Sequence, residues 1–98
     1  MGQTMTDRSP SDREVMQRAL DTWGEEAQIN MAHEELGELQ SELARLWRGR
    51  STGEDVIDEI ADVQIMMGQL AVVFGEKAVE EAVTRKMDRL NERLDDTT

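Results

Sequence analysis

Cysteine is absent from this sequence, and aromatic residues are scarce, with two tryptophans, one phenylalanine and no tyrosine. Without cysteine there is no disulfide framework and no thiolate metal site, so a bound metal would need oxygen ligands or the single His33. Long apolar runs are also missing: the longest stretch, 65–74, is interrupted by Gly68 and Gln69 and is too short to span a bilayer. These absences favour a cytoplasmic protein without a membrane partner.

Basic residues are few as well. Eleven bases stand against 22 acids, which gives a formal net charge of −11. A nucleic-acid polymer demands a basic protein surface, so the charge excludes DNA or RNA polymers as general partners. Residues 1–10 are polar and lack the apolar core of a secretory signal, and we interpret them as a flexible N-terminal leader.

The remainder of the chain has the periodicity of amphipathic helices. Apolar residues recur at alternating steps of three and four, and no segment alternates as a strand would. We therefore predict a single all-α domain over 11–94, made of a short N-terminal helix and antiparallel helices, followed by a frayed tail at 95–98. A core of this size is only marginally stable alone, so we expect the helical bundle to be completed by oligomerisation, as a homodimer or homotetramer.

Helix boundaries are marked by caps and glycines. Ser11 with Glu14, and Ser51 with Glu54, have the spacing of capping boxes ahead of apolar runs. Glycines at 24 and 75 and the polar segment 48–53 separate the four predicted helices, at about 11–23, 25–48, 54–74 and 76–94.

Each long helix has an apolar seam, and the third helix has two. The second stripe of that helix includes Ala61 and Gly68, small residues that allow close approach of a neighbour, and we expect another subunit to cover it. The first seams of the second and third helices, expected to pack together, comprise Ile29, Ala32, Leu36, Leu39, Leu43 and Leu46, and Val56, Ile60, Val63, Met67, Leu70 and Phe74.

Two acidic pairs share one relation to these seams. Glu35, Glu38, Glu59 and Asp62 each immediately precede a seam residue. The short turn after the second helix makes it antiparallel to the third, so these equivalent flanks are expected to converge on one groove. The four carboxylates would repel one another unless a cation compensates, and oxygen ligands favour Mg²⁺, or Mn²⁺, over zinc. Charged helix flanks without any metal are the alternative, and Glu42 is a reserve ligand.

The residues around the two pairs resemble a known family. Segments 33–39 (HEELGEL) and 58–63 (DEIADV) are similar to the paired E-x-x-E and E-x-x-D motifs of the all-α NTP pyrophosphatase superfamily, in its compact MazG-like branch. The resemblance covers about 23–94. It implies Mg²⁺-dependent hydrolysis of nucleoside triphosphates to the monophosphate and pyrophosphate. It further implies Glu35, Glu38, Glu59 and Asp62 as metal ligands. One of these carboxylates is expected to act as the general base, and we assign this role to Glu38.

The resemblance also implies substrate-binding residues outside the acidic motifs. Relatives carry a phosphate-binding cation on the last helix, where this chain has Lys86, Arg89 and Arg93 on one flank; ion pairing with neighbouring helices is the alternative. Relatives place base-contacting residues before the first motif, which here implies Trp23 and Gln28. The alternative for Trp23 is that it packs in the core.

The expected function is that of a Mg²⁺-dependent nucleoside triphosphate pyrophosphohydrolase, with nucleotide-pool sanitation as its role. Two alternatives remain open at this point. One is phosphoribosyl-ATP pyrophosphatase, which belongs to the same superfamily. The other is a non-catalytic helical oligomer that binds nucleotide or metal.

Overall fold

The computed structural model describes residues 11–97, and these form four α-helices and no strand. The predicted all-α fold is therefore confirmed, whereas the predicted leader, 1–10, lies outside the described residues. α4 continues past its predicted end at Leu94, and near its last turn the Thr97 hydroxyl donates to the carbonyl of Arg93 over 2.7 Å. The helices are α1 (Asp12–Trp23), α2 (Glu25–Trp47), α3 (Gly53–Phe74) and α4 (Glu76–Thr97).

The first helix is capped as predicted, whereas the cap of the third helix lies one residue later than predicted. The Ser11 hydroxyl accepts from the amide of Glu14 over 3.1 Å, and the Glu14 carboxylate accepts from the amide of Ser11 over 2.7 Å, which forms a capping box. At α3 the cap is Thr52, whose hydroxyl accepts from the amide of Asp55 over 3.2 Å. The Ser51 prediction was wrong because that hydroxyl donates to Glu42 of α2 instead.

Tight connections determine how the helices pack. Gly24 and Gly75 have φ values of 91° and 115°, which other residues rarely adopt, and each separates two helices without an intervening loop. The short turn after Trp47 makes α2 and α3 antiparallel, and these two helices share the most extensive contact of the described residues. α1 packs against both, and α4 packs against α3 and is joined to α1 by an ion pair of 3.2 Å between Glu76 and Arg13.

The least exposed residues along α2 and α3 define a packing line, where the two helices meet. At every second position this line lies one residue away from the predicted seam. Leu36, Leu43 and Ile60 are 45%, 48% and 41% exposed, so they are not packed between the two helices. The preceding residues, glutamates in all three cases, are less exposed and take their places. One residue turns a helix by about 100°, enough to exchange a seam residue for its flank. The least exposed lines are Gln28, Ala32, Glu35, Leu39 and Glu42 in α2, and Val56, Glu59, Val63, Met66 and Leu70 in α3.

Much apolar surface remains exposed. Only Leu20, Ala32 and Met66 are buried hydrophobic residues in the described chain, and α4 has no buried residue at all. Gly68 corrects one expectation: the thioether of Met16 lies over it, within 2.6 Å of where a Cβ would be, so α1 of the same chain occupies the space in which another subunit was expected. Ala61 remains exposed. Among residues 11–97, no helix has the length and hydropathy needed to cross a membrane.

Candidate metal centre

α2 and α3 border one groove between them. The two helices present the same kinds of residue to this groove, in opposite order along the chain. On α2 the groove-facing residues occur at spacings of three, four and three, and the same spacing recurs on α3. Because the helices are antiparallel, glutamines meet at one end of the groove and acids at the other. The two series are Gln28, Met31, Glu35 and Glu38 on α2, and Glu59, Asp62, Met66 and Gln69 on α3.

Three of the four predicted metal ligands come together at the acidic end. Glu35, Glu38 and Glu59 each offer one carboxylate oxygen, and these atoms all lie within 4.8 Å of one another. Glu35 and Glu59 are half-buried, whereas Glu38 is exposed. The fourth predicted ligand, Asp62, is exposed and lies outside this group, although it is close enough to act on Glu35 and Glu59 through its charge.

Two of these carboxylates lack any partner at their covered oxygens. Oε1 of Glu35 and Oε1 of Glu59 are shielded from solvent and accept no hydrogen bond. Glu42, the reserve ligand, differs: its Oε1 accepts from the Ser51 hydroxyl and lies 3.7 Å from Nε of Arg45. A covered carboxylate oxygen without a donor is unfavourable. A cation bound between Glu35 and Glu59 would satisfy both oxygens, so the residues present fit a hard divalent ion.

The electrostatics of the cluster favour a bound cation or a retained proton. Burial raises the pKa of Glu35 above its ordinary value of 4.5, and the neighbouring carboxylates raise it further. Burial is also the largest cause of the raised pKa of Glu59. No basic side chain pairs with this cluster in 11–97. The charges that add to these increases are Glu38, Asp62 and Glu59 at Glu35, and Glu38, Asp62, Glu42 and Asp58 at Glu59.

The predicted phosphate-binding residues share a surface but do not reach the acids within one chain. Lys86, Arg89 and Arg93 line one cleft of about 290 Å³ on α4, together with Leu90. That helix does not approach α2 anywhere in the described chain. The three basic residues therefore lie on one flank of α4, as predicted. Within a single chain this flank does not lie near the acidic cluster.

The predicted base-contacting residues lie at the other end of the groove. Trp23 is 65% exposed, so it is not part of the core of the single chain, whereas Gln28 is buried. Both line a cavity of about 490 Å³. Gln69 lines the same cavity but was not among the predicted residues. The sequence does contain a pattern that indicates it: Gln69 lies seven residues after Asp62, and Gln28 lies seven residues before Glu35.

Comparison of the chain with known proteins gives no match: no family model, no curated protein and no solved structure corresponds to it. The function is therefore inferred from the groove residues, their geometry and the resemblance of the two acidic motifs.

The raised pKa values predict an unusual pH dependence of stability. A carboxyl group whose pKa is higher in the folded state opposes folding when it is ionised, so its penalty is present at neutral pH and decreases as the pH falls towards 4.5. In a chelator, the thermal midpoint should therefore rise as the pH is lowered from about 8 towards about 5. Scanning calorimetry of the wild type and a Glu35→Gln, Glu59→Gln double variant measures this.

The double variant separates the cluster from the general repulsion of an acidic chain. It keeps the other 20 acids, so any remaining rise reports the overall charge. We expect a clearly smaller rise in the double variant than in the wild type. Equal pH dependence in both proteins would show that the cluster carries no electrostatic strain.

Proposed function

We propose that this chain is a divalent-cation-dependent nucleoside triphosphate pyrophosphohydrolase, which converts a ribo- or deoxyribonucleoside triphosphate to the monophosphate and pyrophosphate. The observation that carries the proposal is the convergence of Glu35, Glu38 and Glu59 within 4.8 Å, with covered oxygens on Glu35 and Glu59 that have no partner. The resemblance of segments 33–39 and 58–63 to the paired motifs of the MazG-like pyrophosphatases supports this reaction over other uses of an acidic site.

Mg²⁺ is the preferred ion, with Mn²⁺ as a substitute, because every ligand is a carboxylate oxygen and Mg²⁺ binds through carboxylates together with substrate phosphates. When bound, such an ion polarises a phosphoryl oxygen and lowers the pKa of a bound water. Glu35 and Glu59 would hold it through the oxygens that now lack partners. Asp62, on the exposed rim, adds negative charge that strengthens the attraction for the cation.

The exposed position of Glu38 suits proton transfer. Its carboxylate belongs to the cluster yet remains open to solvent, so an attacking water can lie against it. In the proposed reaction, the water oxygen forms a bond with the α-phosphorus and its proton passes to Glu38. The bond from the α-phosphorus to the oxygen that bridges the α- and β-phosphates breaks, and pyrophosphate leaves with that oxygen.

Self-association is part of the proposal. Leu36, Leu43 and Ile60 are exposed along α2 and α3. α4 likewise exposes its apolar residues and makes no contact with α2; these residues are Val79, Val83, Met87, Leu90 and Leu94. A second copy that covers these residues would bury apolar surface of the kind found in permanent homodimers. Lys86, Arg89 and Arg93 do not reach the acidic cluster of their own chain. In the proposed assembly, the same basic side chains of the second copy would bind the phosphates instead.

The reaction predicts pyrophosphate release that requires both a nucleotide and a divalent ion. Purified protein is incubated with Mg²⁺ and each of a panel of ribo- and deoxyribonucleoside triphosphates, including dUTP and dCTP, and with phosphoribosyl-ATP. We expect equimolar pyrophosphate and monophosphate from at least one of them and no release when chelator replaces Mg²⁺. Turnover of phosphoribosyl-ATP alone would assign the chain to that branch of the superfamily.

A matched substitution tests whether the cluster is responsible. Glu34→Gln removes one acid from an exposed position of α2 outside the cluster and should leave turnover unchanged, whereas Glu38→Gln should abolish it. Absence of pyrophosphate release across the whole panel, with nucleotide binding intact, would contradict the proposal and favour a nucleotide-binding oligomer without catalysis.

A further inference from the structure

The glutamine end of the groove is a cavity of about 490 Å³, which falls within the range of small-molecule sites. Its lining is largely apolar and includes two polar side chains, Gln28 and Gln69, which are each only 5% exposed. The other lining residues are Trp23, Ala27, Met31 and Met66. An apolar cavity with a few convergent polar groups is the usual form of a site that orients a flat organic ligand.

Gln69 is incompletely hydrogen-bonded. Its Nε2 lies 3.9 Å from Sδ of Met66, a weak acceptor, and its Oε1 has no partner. A buried amide oxygen without a donor is costly, and most such groups in proteins are paired. Gln69 already lines the cavity, and the terminal torsion of glutamine is broad, so its amide can turn towards a ligand without leaving an ordinary rotamer.

The position of the cavity relative to the acids suits a nucleotide. Gln28 and Glu35 are seven residues apart on α2, and so are Asp62 and Gln69 on α3, which is two helical turns or about 10 Å. A ribose separates a base from its phosphates, and a groove with acids at one end and amides at the other can hold the two parts separately. Trp23 borders the cavity and offers an aromatic face for stacking.

Base contact by Trp23 and Gln28 is what the family resemblance implies; we infer that Gln69, which lines the same cavity, determines base specificity by accepting a hydrogen bond from an N–H group at the edge of the base. The inference rests on the proposed function for the identity of the ligand. Gln28 supplies a second amide at the same end of the groove, able to donate to a ring carbonyl or accept from an exocyclic amine. A base that lacks an N–H at this edge would leave the Gln69 oxygen buried and unpaired, and it would therefore bind less tightly.

Binding can be measured without hydrolysis through the fluorescence of Trp23. Trp47, the other tryptophan of the chain, is 91% exposed and does not line this cavity, so Trp47→Phe leaves Trp23 as the single reporter. Nucleosides without phosphates are titrated in chelator, so the metal centre takes no part. The probes are uridine, cytidine and adenosine, each beside a methylated form without the edge N–H: 3-methyluridine, N4,N4-dimethylcytidine and N6,N6-dimethyladenosine.

The inference predicts saturable quenching by at least one unmodified nucleoside and roughly tenfold weaker binding of its methylated form. Gln69→Met keeps the length of the side chain and removes the amide. In this variant the unmodified nucleoside should bind roughly tenfold more weakly, and the difference between the two forms should largely disappear. Gln64→Met, at an exposed position of the same helix, is the matched control and should behave as the wild type.

The outcomes separate this inference from the proposed function. Nucleoside binding that depends on Gln69, in a protein that releases no pyrophosphate, would support the cavity and contradict the hydrolase. No saturable quenching by any nucleoside, or equal binding by wild type and Gln69→Met, would overturn the inference. If Gln69→Met nevertheless releases pyrophosphate as fast as the wild type, the proposed hydrolase function would still stand.

Discussion

Replacement of Glu59 by glutamine is expected to lower Mg²⁺-dependent pyrophosphate release at least about 100-fold and, at the same time, to raise the thermal midpoint of the cation-free protein. The first effect follows because Glu59 supplies one of the two covered oxygens proposed to hold the ion. The second follows because burial and neighbouring acids raise the pKa of this carboxyl, so a neutral amide removes an ionised group that opposes folding at neutral pH.

A rise in stability with a loss of activity distinguishes a functional acid from a structural one. Glu42→Gln is the matched control, because Glu42 lies on the same packing line but is already paired with Ser51 and Arg45. We expect Glu42→Gln to retain most of the activity and to gain no stability. Steady-state kinetics and calorimetry on the three proteins provide the comparison. Full activity in Glu59→Gln, or a lower thermal midpoint in chelator, would contradict the assigned role.

Replacement of Leu43 by aspartate is expected to break the oligomer. Leu43 is 48% exposed in the single chain, on the side of α2 that carries Leu36 and Leu46. In the proposed assembly this surface is covered by a second copy, and an aspartate there would bury an unpaired charge. Light scattering coupled to size exclusion should show a mass near 22 kDa or more for the wild type, given an 11.1 kDa chain, and a fall to a single chain in the variant.

Loss of assembly should also cost stability, because a single chain buries only three hydrophobic residues among those described. Ser41→Asp is the control, since Ser41 is exposed on the opposite side of α2. It adds the same charge without touching the leucine surface, and we expect it to keep the mass of the wild type. If light scattering gives the mass of a single chain for the wild type at every concentration, the proposed oligomer does not form.

The fold class and the acidic cluster could both be predicted from the sequence. Periodicity and caps locate the helices, because amphipathic spacing and the Ser11 box act locally. The convergence of Glu35, Glu38 and Glu59 follows from an antiparallel pair with a short turn, which again needs no knowledge of distant contacts. These elements are encoded in short stretches of chain, and short-range rules are enough to find them.

The orientation of each helix about its own axis could not be predicted. Glu35 and Leu36 are adjacent, and hydrophobicity assigned the seam to the leucine, whereas the structure gives the packing line to the glutamate. Periodicity identifies an apolar face but does not specify which neighbour covers it. The same limit explains Gly68, which accommodates Met16 of its own chain. Gln69 can be found only by comparing the two helices, because its one signal is a distance of seven residues from Asp62 that matches the distance from Gln28 to Glu35.

Calorimetric titration of Mg²⁺ into the metal-free protein at neutral pH measures whether the carboxylates of Glu35, Glu38 and Glu59 form a divalent-cation site. We expect saturable binding that weakens as the pH falls through the raised pKa values of Glu35 and Glu59, because protons and the cation compete for the same oxygens. Glu59→Gln should remove this binding, and Glu34→Gln should not. Saturable binding that survives unchanged in Glu59→Gln, or no binding by the wild type with or without nucleotide, would contradict the proposed cation site.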